Sequence, residues 1–452
     1  MEKNKIYEFE IIDNGFEFEG IAREDNKVVF IPEVIQGEKV KAKIIKVNKS
    51  YCIGKVEYIN KKSKHRQDNF CEIATRCGGC SAGHIEYDYQ LVLKNKNVEN
   101  VLKKLNLDYP EIDKIVGMGN PYYYRNKVQY PVRVDKNGIA KIGFYSKRSH
   151  NIVENHCCYI QNRVIDLLAK EIFEKLIEKE FSIYNEEKNE GDIKHIIIRR
   201  GYHTKEIMII LVLNNEDLFS SKKLLSLFEK IVDSNENIKS VILNLNDKNT
   251  NKIQGEVEKV LIGEKYITDT IGEYKFHISS KSFFQVNTIQ AEVLYHILKE
   301  NLELNGNEIL FDLYSGVGSI GIFLSDSVKQ VYGIEIEEQA VEMANLNIQI
   351  NDVENAEYVA GSVENKIVEF KNRKIHPDVI VIDPPRKGLD DKTIEYILEF
   401  NPKKIGYVSC NPATLARDLK LLSDKYEIEC VNPVDMFPHT SHVECVVILK
   451  VR

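Results

Sequence analysis

From Phe276 to Arg452, short apolar runs alternate with stretches whose apolar residues recur at helical spacing. Strands are predicted near Ile309, Val331, Tyr358, Val379, Ile405, Ile428 and Val446, separated by helices such as Glu338 to Gln349 and Thr393 to Phe400. Alternation of this kind predicts a doubly wound α/β sheet with helices on both faces. The first sixty or so residues have a different rhythm. Tyr7 to Asp13, Lys27 to Pro32, Glu38 to Val47 and Ile53 to Tyr58 read as short strands, with Asn14-Gly15 and Gln36-Gly37 as turn signals. They predict an OB-like β-barrel, a common scaffold for single-stranded nucleic acid. Between these regions the chain mixes strands, such as Lys194 to Arg200 and Glu206 to Leu213, with helices and with polar loops at Asn185 to Gly191 and Leu245 to Glu256. The expected division is a barrel at 1–60, an α+β central domain at 68–275 and the doubly wound domain at 276–452.

Candidate chemistry lies where predicted strands end. Glu308 to Gly321, EILFDLYSGVGSIG, is an apolar strand that runs into a glycine-rich turn and then a helix beginning near Gly318. Gly316 to Gly321 fits G-x-G-x-x-G, whose glycines let a ligand approach the backbone at a helix start. The next strand, Gln330 to Glu335, ends in a carboxylate able to accept hydrogen bonds from both ribose hydroxyls of a nucleoside cofactor. Nicotinamide dinucleotide and S-adenosylmethionine both satisfy these signals. Asp383-Pro384-Pro385-Arg386 narrows the choice, because methylases of exocyclic amines carry a base-stacking aromatic where this chain has Arg386. A thiol is present instead. Cys410, before Asn411-Pro412, ends an apolar strand at the edge where such folds place their chemistry, which makes it a candidate nucleophile.

These residues carry a family resemblance. FFQVN from Phe283, DLYSGVG, DPPRKG, SCNPATLARD from Ser409 to Asp418 and HVEC from His442 to Cys445 stand in the same order as in the bacterial RNA uracil-5-methyltransferases. The chain most resembles the branch that methylates 23S rRNA and carries a TRAM domain and an iron-sulfur cluster. The resemblance implies a Rossmann-like class I methyltransferase domain of seven strands with the last reversed, and it identifies the barrel with TRAM. It assigns Cys410 as nucleophile, Glu444 as base, and Gln285, Tyr314, Glu335 and Asp383 as contacts to S-adenosylmethionine. The chemistry needs those residue types. Carbon 5 of uracil is a poor nucleophile until a thiolate adds to carbon 6, and a base must later take the carbon 5 proton so that the thiolate can leave. A nicotinamide-dependent oxidoreductase would leave DPPR and SCNP unexplained, and a non-catalytic RNA-binding factor would not need Cys410 and Glu444. A methyltransferase of the tRNA T-loop remains the alternative within the family.

Cysteine usage and charge complete the expectation. Nine cysteines in a chain with no apolar run of membrane-spanning length and no signal peptide after Met1 suit a cytoplasmic enzyme, so spacing points to a metal rather than to disulfides. Cys71, Cys77 and Cys80 place three thiols in ten residues, with Gly78 and Gly79 between the last two. Cys157 or Cys158 supplies the fourth. Four thiolates suit zinc or a [4Fe-4S] cluster alike. The resemblance favours the cluster, and its C-x-I-Q pattern selects Cys158. The formal net charge of −7 hides two basic segments. Lys39 to Arg66 holds ten Lys or Arg against Glu57, and Arg125 to Arg148 holds seven against Asp135. They read as a phosphate track, with Tyr122-Tyr123-Tyr124 beside the second as platforms for unstacked bases. The expectation is thus a monomer whose partner is RNA, 23S rRNA foremost, and not a membrane.

Overall fold

The computed structural model describes residues 1–147 and 149–452; Arg148, the end of the second basic segment, lies outside the described residues. The carboxyl-terminal sheet has seven strands in the order Ala356–Ala360, Gln330–Glu335, Ile309–Leu313, Val379–Ile382, Lys404–Ser409, Glu444–Val451, Tyr426–Val434. The first five are parallel. Glu444–Val451, the last strand in sequence, enters antiparallel to both neighbours, so the doubly wound sheet with a reversed last strand is present as expected. Val379–Ile382 is buried at every position, as a parallel strand covered on both faces must be. Leu294, Leu298 and Ile448 belong to the core on one face, and Phe311, Leu415 and Leu449 to that on the other. The winding reverses between Ile309–Leu313 and Val379–Ile382. The carboxyl ends of those strands therefore open the crevice in which open α/β sheets bind ligands.

The central sheet has six strands, in the order Val257–Gly263, Ile238–Leu245, Ile207–Leu213, Ile193–Arg200, Lys127–Val134, Ala140–Ile142. Ile207–Leu213 is buried at all seven positions, and its alternate side chains go to different cores. Ile209 and Leu211 meet residues of helices Arg163–Glu178 and Lys222–Asp233, whereas Met208, Ile210 and Val212 join Phe284, Leu294 and Phe323. The central and carboxyl-terminal regions thus share one apolar core. Two features cross the expected division at 275. Strand Tyr274–Ser279 pairs with Tyr266–Ile271 across it, and helix Tyr87–Lys104 leaves the central region to pack Val98 and Leu102 with Phe311, Ile405 and Leu415. Within that helix the buried Lys94 donates to Asp435 at 2.5 Å and to the Phe437 carbonyl at 3.0 Å.

At the amino end, six strands surround Phe9, Ile31, Val40 and Ile44, in the order Ile6–Glu10, Lys39–Val47, Tyr51–Lys61, Lys27–Ile31, Gly20–Glu24, Asp13–Asn14. The GIARE strand at Gly20–Glu24 is absent from the sequence reading because it carries only two apolar side chains. Among the described residues no helix is long and apolar enough to cross a membrane.

Candidate active site

The glycine turn builds one wall of the site. After Ile309–Leu313 the backbone turns left-handed at Tyr314 (φ 63°), Gly316 (φ 56°) and Gly318 (φ 79°) before helix Ser319–Leu324. Glycine is required at 318 twice over, since a Cβ there would also stand 2.9 Å from the Tyr358 ring. The Gly321 N–H donates to the buried Asp312 at 2.9 Å, and the Gly316 N–H to Glu335 Oε2 at 2.9 Å. Glu335 Oε1 accepts from the Ile336 and Glu337 N–H groups at 2.8 and 3.0 Å. The carboxylate is thereby fixed at its strand end, with lone pairs left for hydroxyl donors.

A cavity of about 510 Å³ opens over this turn. Gln285, Tyr314, Glu335, Asp383, Cys410 and Glu444, which come from six separate segments, all line it. Cys410 lies between strand Lys404–Ser409 and helix Pro412–Leu422, whose cap Asn411 accepts from the Ala413 N–H at 3.1 Å. The rest of SCNPATLARD latches the neighbouring DPPRKG loop in place. Asn411 Nδ2 and the Thr414 hydroxyl donate to the Arg386 carbonyl at 3.1 and 3.3 Å, and Arg417 donates to the carbonyls of Lys387 and Leu389 at 3.0 Å. Buried Asp418 accepts from the Leu389 N–H at 2.8 Å and the Tyr407 hydroxyl at 2.7 Å. Two motifs distant in sequence thus form one rigid rim.

The electrostatics of the cavity are acidic and cation-poor. Burial pushes the Asp383 carboxyl up to about 7. Burial, then the charges of Asp383 and Glu335, push Asp312 up to about 8 against the pull of its Gly321 hydrogen bond. Glu444, only 4% exposed, is held well above the carboxylate range by burial and then by Asp383, with Arg386 opposing. The Cys410 thiol is pushed up to about 11 by burial, then by Glu444 and Asp383, again with Arg386 opposing. Such a site suits a cationic ligand and a thiol that ionises when positive charge arrives.

Beside Arg386, some lining residues were given no role by the sequence reading. Arg386 Nη2 lies 3.3 Å from His442 Nε2, and His442 meets the Phe437 ring edge-on at 6.1 Å. Burial lowers His442 to about 4, so it stands neutral beside the guanidinium. Phe283, 68% exposed, stands at the mouth. His442 and Phe283 fall inside the HVEC and FFQVN motifs, which was signal enough to have found them. Phe437 follows no motif and carries none.

The predicted metal cysteines, Cys71, Cys77, Cys80 and Cys158, line one cavity together with Cys157, a second one of about 80 Å³. Cys80 and Cys158 pack against the same cluster of Met118, Tyr124 and Ile160. Burial pushes their thiols up, to about 12 and about 11. The Nε of Arg125, the Oε1 of Gln161 and both amide atoms of Asn155 lie buried in the same lining without hydrogen-bond partners. Buried polar groups without partners call for an explanation, such as a bound water or ion. Among the described residues no three Cys, His, Asp or Glu side chains come together closely enough to hold a single ion.

The two basic segments fare differently. Lys61, Lys62 and Lys64 are not buried, whereas Arg66 donates to the buried Glu38 at 2.6 Å and Lys41 pairs with Glu8 at 3.2 Å. In the second segment most of the described cations are turned inward or paired, and Lys136 stays exposed. Arg125 faces the thiol cavity, Arg133 is buried against the Lys194 carbonyl, and Lys141 and Lys147 pair with Glu154 and Glu33. Of the tyrosines, Tyr124 is buried with its hydroxyl on the Pro438 carbonyl, and Tyr122 stacks on His439. A count of charges along a strand cannot say which face each one takes.

A seven-stranded doubly wound sheet with a reversed strand, its glycine turn and strand-end carboxylate opening on one cavity, defines a class I methyltransferase fold. The family model for tRNA (uracil-5-)-methyltransferase matches residues 86–452, and that for the TRAM domain matches residues 2–56. An uncharacterized RNA methyltransferase of Clostridium acetobutylicum is 46% identical, covering 100% of this chain and 98% of its own. Another, of Oceanobacillus iheyensis, is 42% identical over 100% and 97%. The crystal structure of Pyrococcus abyssi tRNA (uracil-54, C5)-methyltransferase in complex with S-adenosyl-L-homocysteine superposes with a TM-score of 0.78 at 28% identity, covering 98% of this chain and 99% of that one. The chain belongs to the tRNA (uracil-5-)-methyltransferase family and carries a TRAM domain at its amino end.

Proposed function

We propose that the protein transfers a methyl group from S-adenosylmethionine to carbon 5 of a uridine in RNA, with 23S rRNA as the target. The observation that carries this reading is the meeting of Cys410, Glu444, Asp383 and Glu335 in one cavity. S-Adenosylmethionine supplies an electrophilic methyl on a sulfonium. Glu335 accepts from its ribose hydroxyls, with Gln285, Tyr314 and Asp383 as the further contacts. On the RNA, the Cys410 thiolate adds to carbon 6, and the electron pair of the 5,6 double bond moves toward the carbonyl as an enolate. Carbon 5 takes the methyl with that pair as the bond from methyl to sulfonium breaks, its electrons going to sulfur and S-adenosylhomocysteine leaving. Glu444 then removes the carbon 5 proton, the double bond re-forms and the carbon–sulfur bond breaks, freeing the thiolate. The burial that raises the Glu444 pKa makes its carboxylate a stronger base once ionised.

For the second cavity the reading is a [4Fe-4S] cluster on Cys71, Cys77, Cys80 and Cys158. A single zinc needs its four sulfurs about 2.3 Å from one point. Four thiols lining one cavity suit either metal centre, and the likeness of the chain to the cluster-bearing branch favours the cluster. Bound there, it joins the 71–80 segment to Cys158. A second substrate reading is the T-loop of tRNA, favoured by the Pyrococcus abyssi enzyme, whose architecture this chain shares from end to end. Mapping 5-methyluridine in 23S rRNA and tRNA from cells lacking the protein tests both. Loss of a 23S rRNA methyl is expected; loss confined to the T-loop would replace the first target with the second.

A further inference from the structure

Arg125 is a half-buried cation, its Nε fully buried, for which the active-site chemistry has no use. Its backbone is tied into the segment that carries Cys158: the Arg125 N–H donates to the Ile160 carbonyl at 3.0 Å, and the Asn162 N–H donates to the Arg125 carbonyl at 3.0 Å. Its guanidinium lines the thiol cavity with Cys71, Cys77, Cys80 and Cys158, and its Nε is buried without a partner. Beside the guanidinium stand the Tyr124 ring, its centroid 5.9 Å from Cζ, and the thiols that line the same cavity. A guanidinium withdrawn in part from water with a buried Nε left unpaired costs stability, and an anion at that nitrogen would offset the cost. Arginine suits that task, because its planar fork stays charged and loses less water than an ammonium does.

We propose that Arg125 is the counter-cation of the metal–thiolate centre, donating from Nε to its sulfur and offsetting its negative charge. The proposal rests on the reading of the cavity as a metal site. Four thiolates around a [4Fe-4S]²⁺ core, or around a single zinc, leave a net charge of two minus in a buried place. One fixed guanidinium at the wall stabilises that dianion and favours the addition of an electron. Asn155, whose buried Nδ2 also lacks a partner, offers a further donor at the same wall. Arg125 is therefore a positioning and tuning residue rather than a catalytic one. Its neighbour Asn126 leads to the active site, donating through its N–H to the Val286 carbonyl at 2.7 Å, next to Gln285.

The test uses the full chain, reconstituted without oxygen with iron and sulfide, as wild type, Arg125→Gln and Arg125→Lys. Metal and sulfide contents, the midpoint potential from a redox titration followed by electron paramagnetic resonance, and the rate of metal loss to a chelator are measured. Arg125→Gln is expected to shift the potential to more negative values and to speed metal loss about tenfold or more, the usual scale for partners of metal ligands. Arg125→Lys should lie between it and wild type. Equal potentials and equal loss rates in wild type and Arg125→Gln overturn the counter-cation while leaving the cluster in place. Zinc in the wild type removes the cluster reading alone, and Arg125 is then judged by zinc loss. A wild type that takes up no metal overturns both.

Discussion

At the scale of single residues, the cavity separates the two groups that must act in turn. Cys410 and Glu444 share a buried space with Asp383, whose charge adds to burial in raising both, so neither ionises freely until positive charge enters. If Glu444 is the base, Glu444→Gln should let addition and methylation proceed but block release. A covalent protein–RNA adduct is expected as a slowed band on a denaturing gel, with at least about a hundredfold loss of turnover, the ordinary contribution of a general base. No band from well-folded protein would return Glu444 to a structural role. Asp383 gives a second prediction, in stability. Unfolded, its carboxyl titrates near 3.8; folded, near 7. Between those values the folded state holds the extra proton, so stability falls as pH rises through that window and the loss is complete above it. Asp383→Asn should stabilise the ligand-free protein at pH 9 by about 2 kcal/mol, less than the full shift because the carboxyl faces an open cavity. Equal urea midpoints for both proteins at pH 9 would remove Asp383 as the source.

At the scale of elements, the sequence announced where chemistry sits but not how it is held. The strand ends at Glu335, Asp383 and Cys410 were legible because parallel strands read as apolar runs and their polar successors stand out. The latch between DPPRKG and SCNPATLARD was visible only as letters, since hydrogen bonds from Thr414, Arg417 and Asp418 to backbone carbonyls and amides leave no periodicity. Helix Tyr87–Lys104 was illegible for another reason: its buried Lys94 and Gln90 look like a polar face until Asp435 and His439 come to meet them. The latch carries its own prediction. Asp418→Ala leaves the Leu389 N–H and the Tyr407 hydroxyl buried without an acceptor, at about 1–3 kcal/mol each. A fall in unfolding free energy of about 3 kcal/mol or more is expected, with a larger loss of kcat than of RNA affinity, because the loop bearing Asp383 and Arg386 shifts against Cys410. A stability change below about 1 kcal/mol would show that the latch is redundant.

At the scale of the whole molecule, the cations divide between holding the protein together and meeting RNA. The central region's Arg125 and Arg133 face inward and its Lys141 and Lys147 find carboxylates, whereas the barrel keeps Lys61, Lys62 and Lys64 open to solvent where strand Tyr51–Lys61 ends. A chain of formal net charge −7 repels RNA at long range, so local positive ground must do the steering. If the barrel supplies it, changing Lys61, Lys62 and Lys64 to Glu should weaken binding across RNA sequences, because phosphate contacts position without reading bases. Every phosphate no longer neutralised should also flatten the slope of log affinity against log salt, by about 0.7 for a single strand. Affinity for S-adenosylmethionine should stay as in wild type, since none of the three lines the cavity that holds Glu335 and Asp383. In the second basic segment Arg133 is turned inward and Lys141 and Lys147 are paired, which leaves Lys136 as its exposed lysine among the described residues. An unchanged slope and unchanged RNA affinity in the triple variant would mean that these lysines only keep the barrel soluble, and that the RNA is held chiefly by the rim around Phe283 and Arg386.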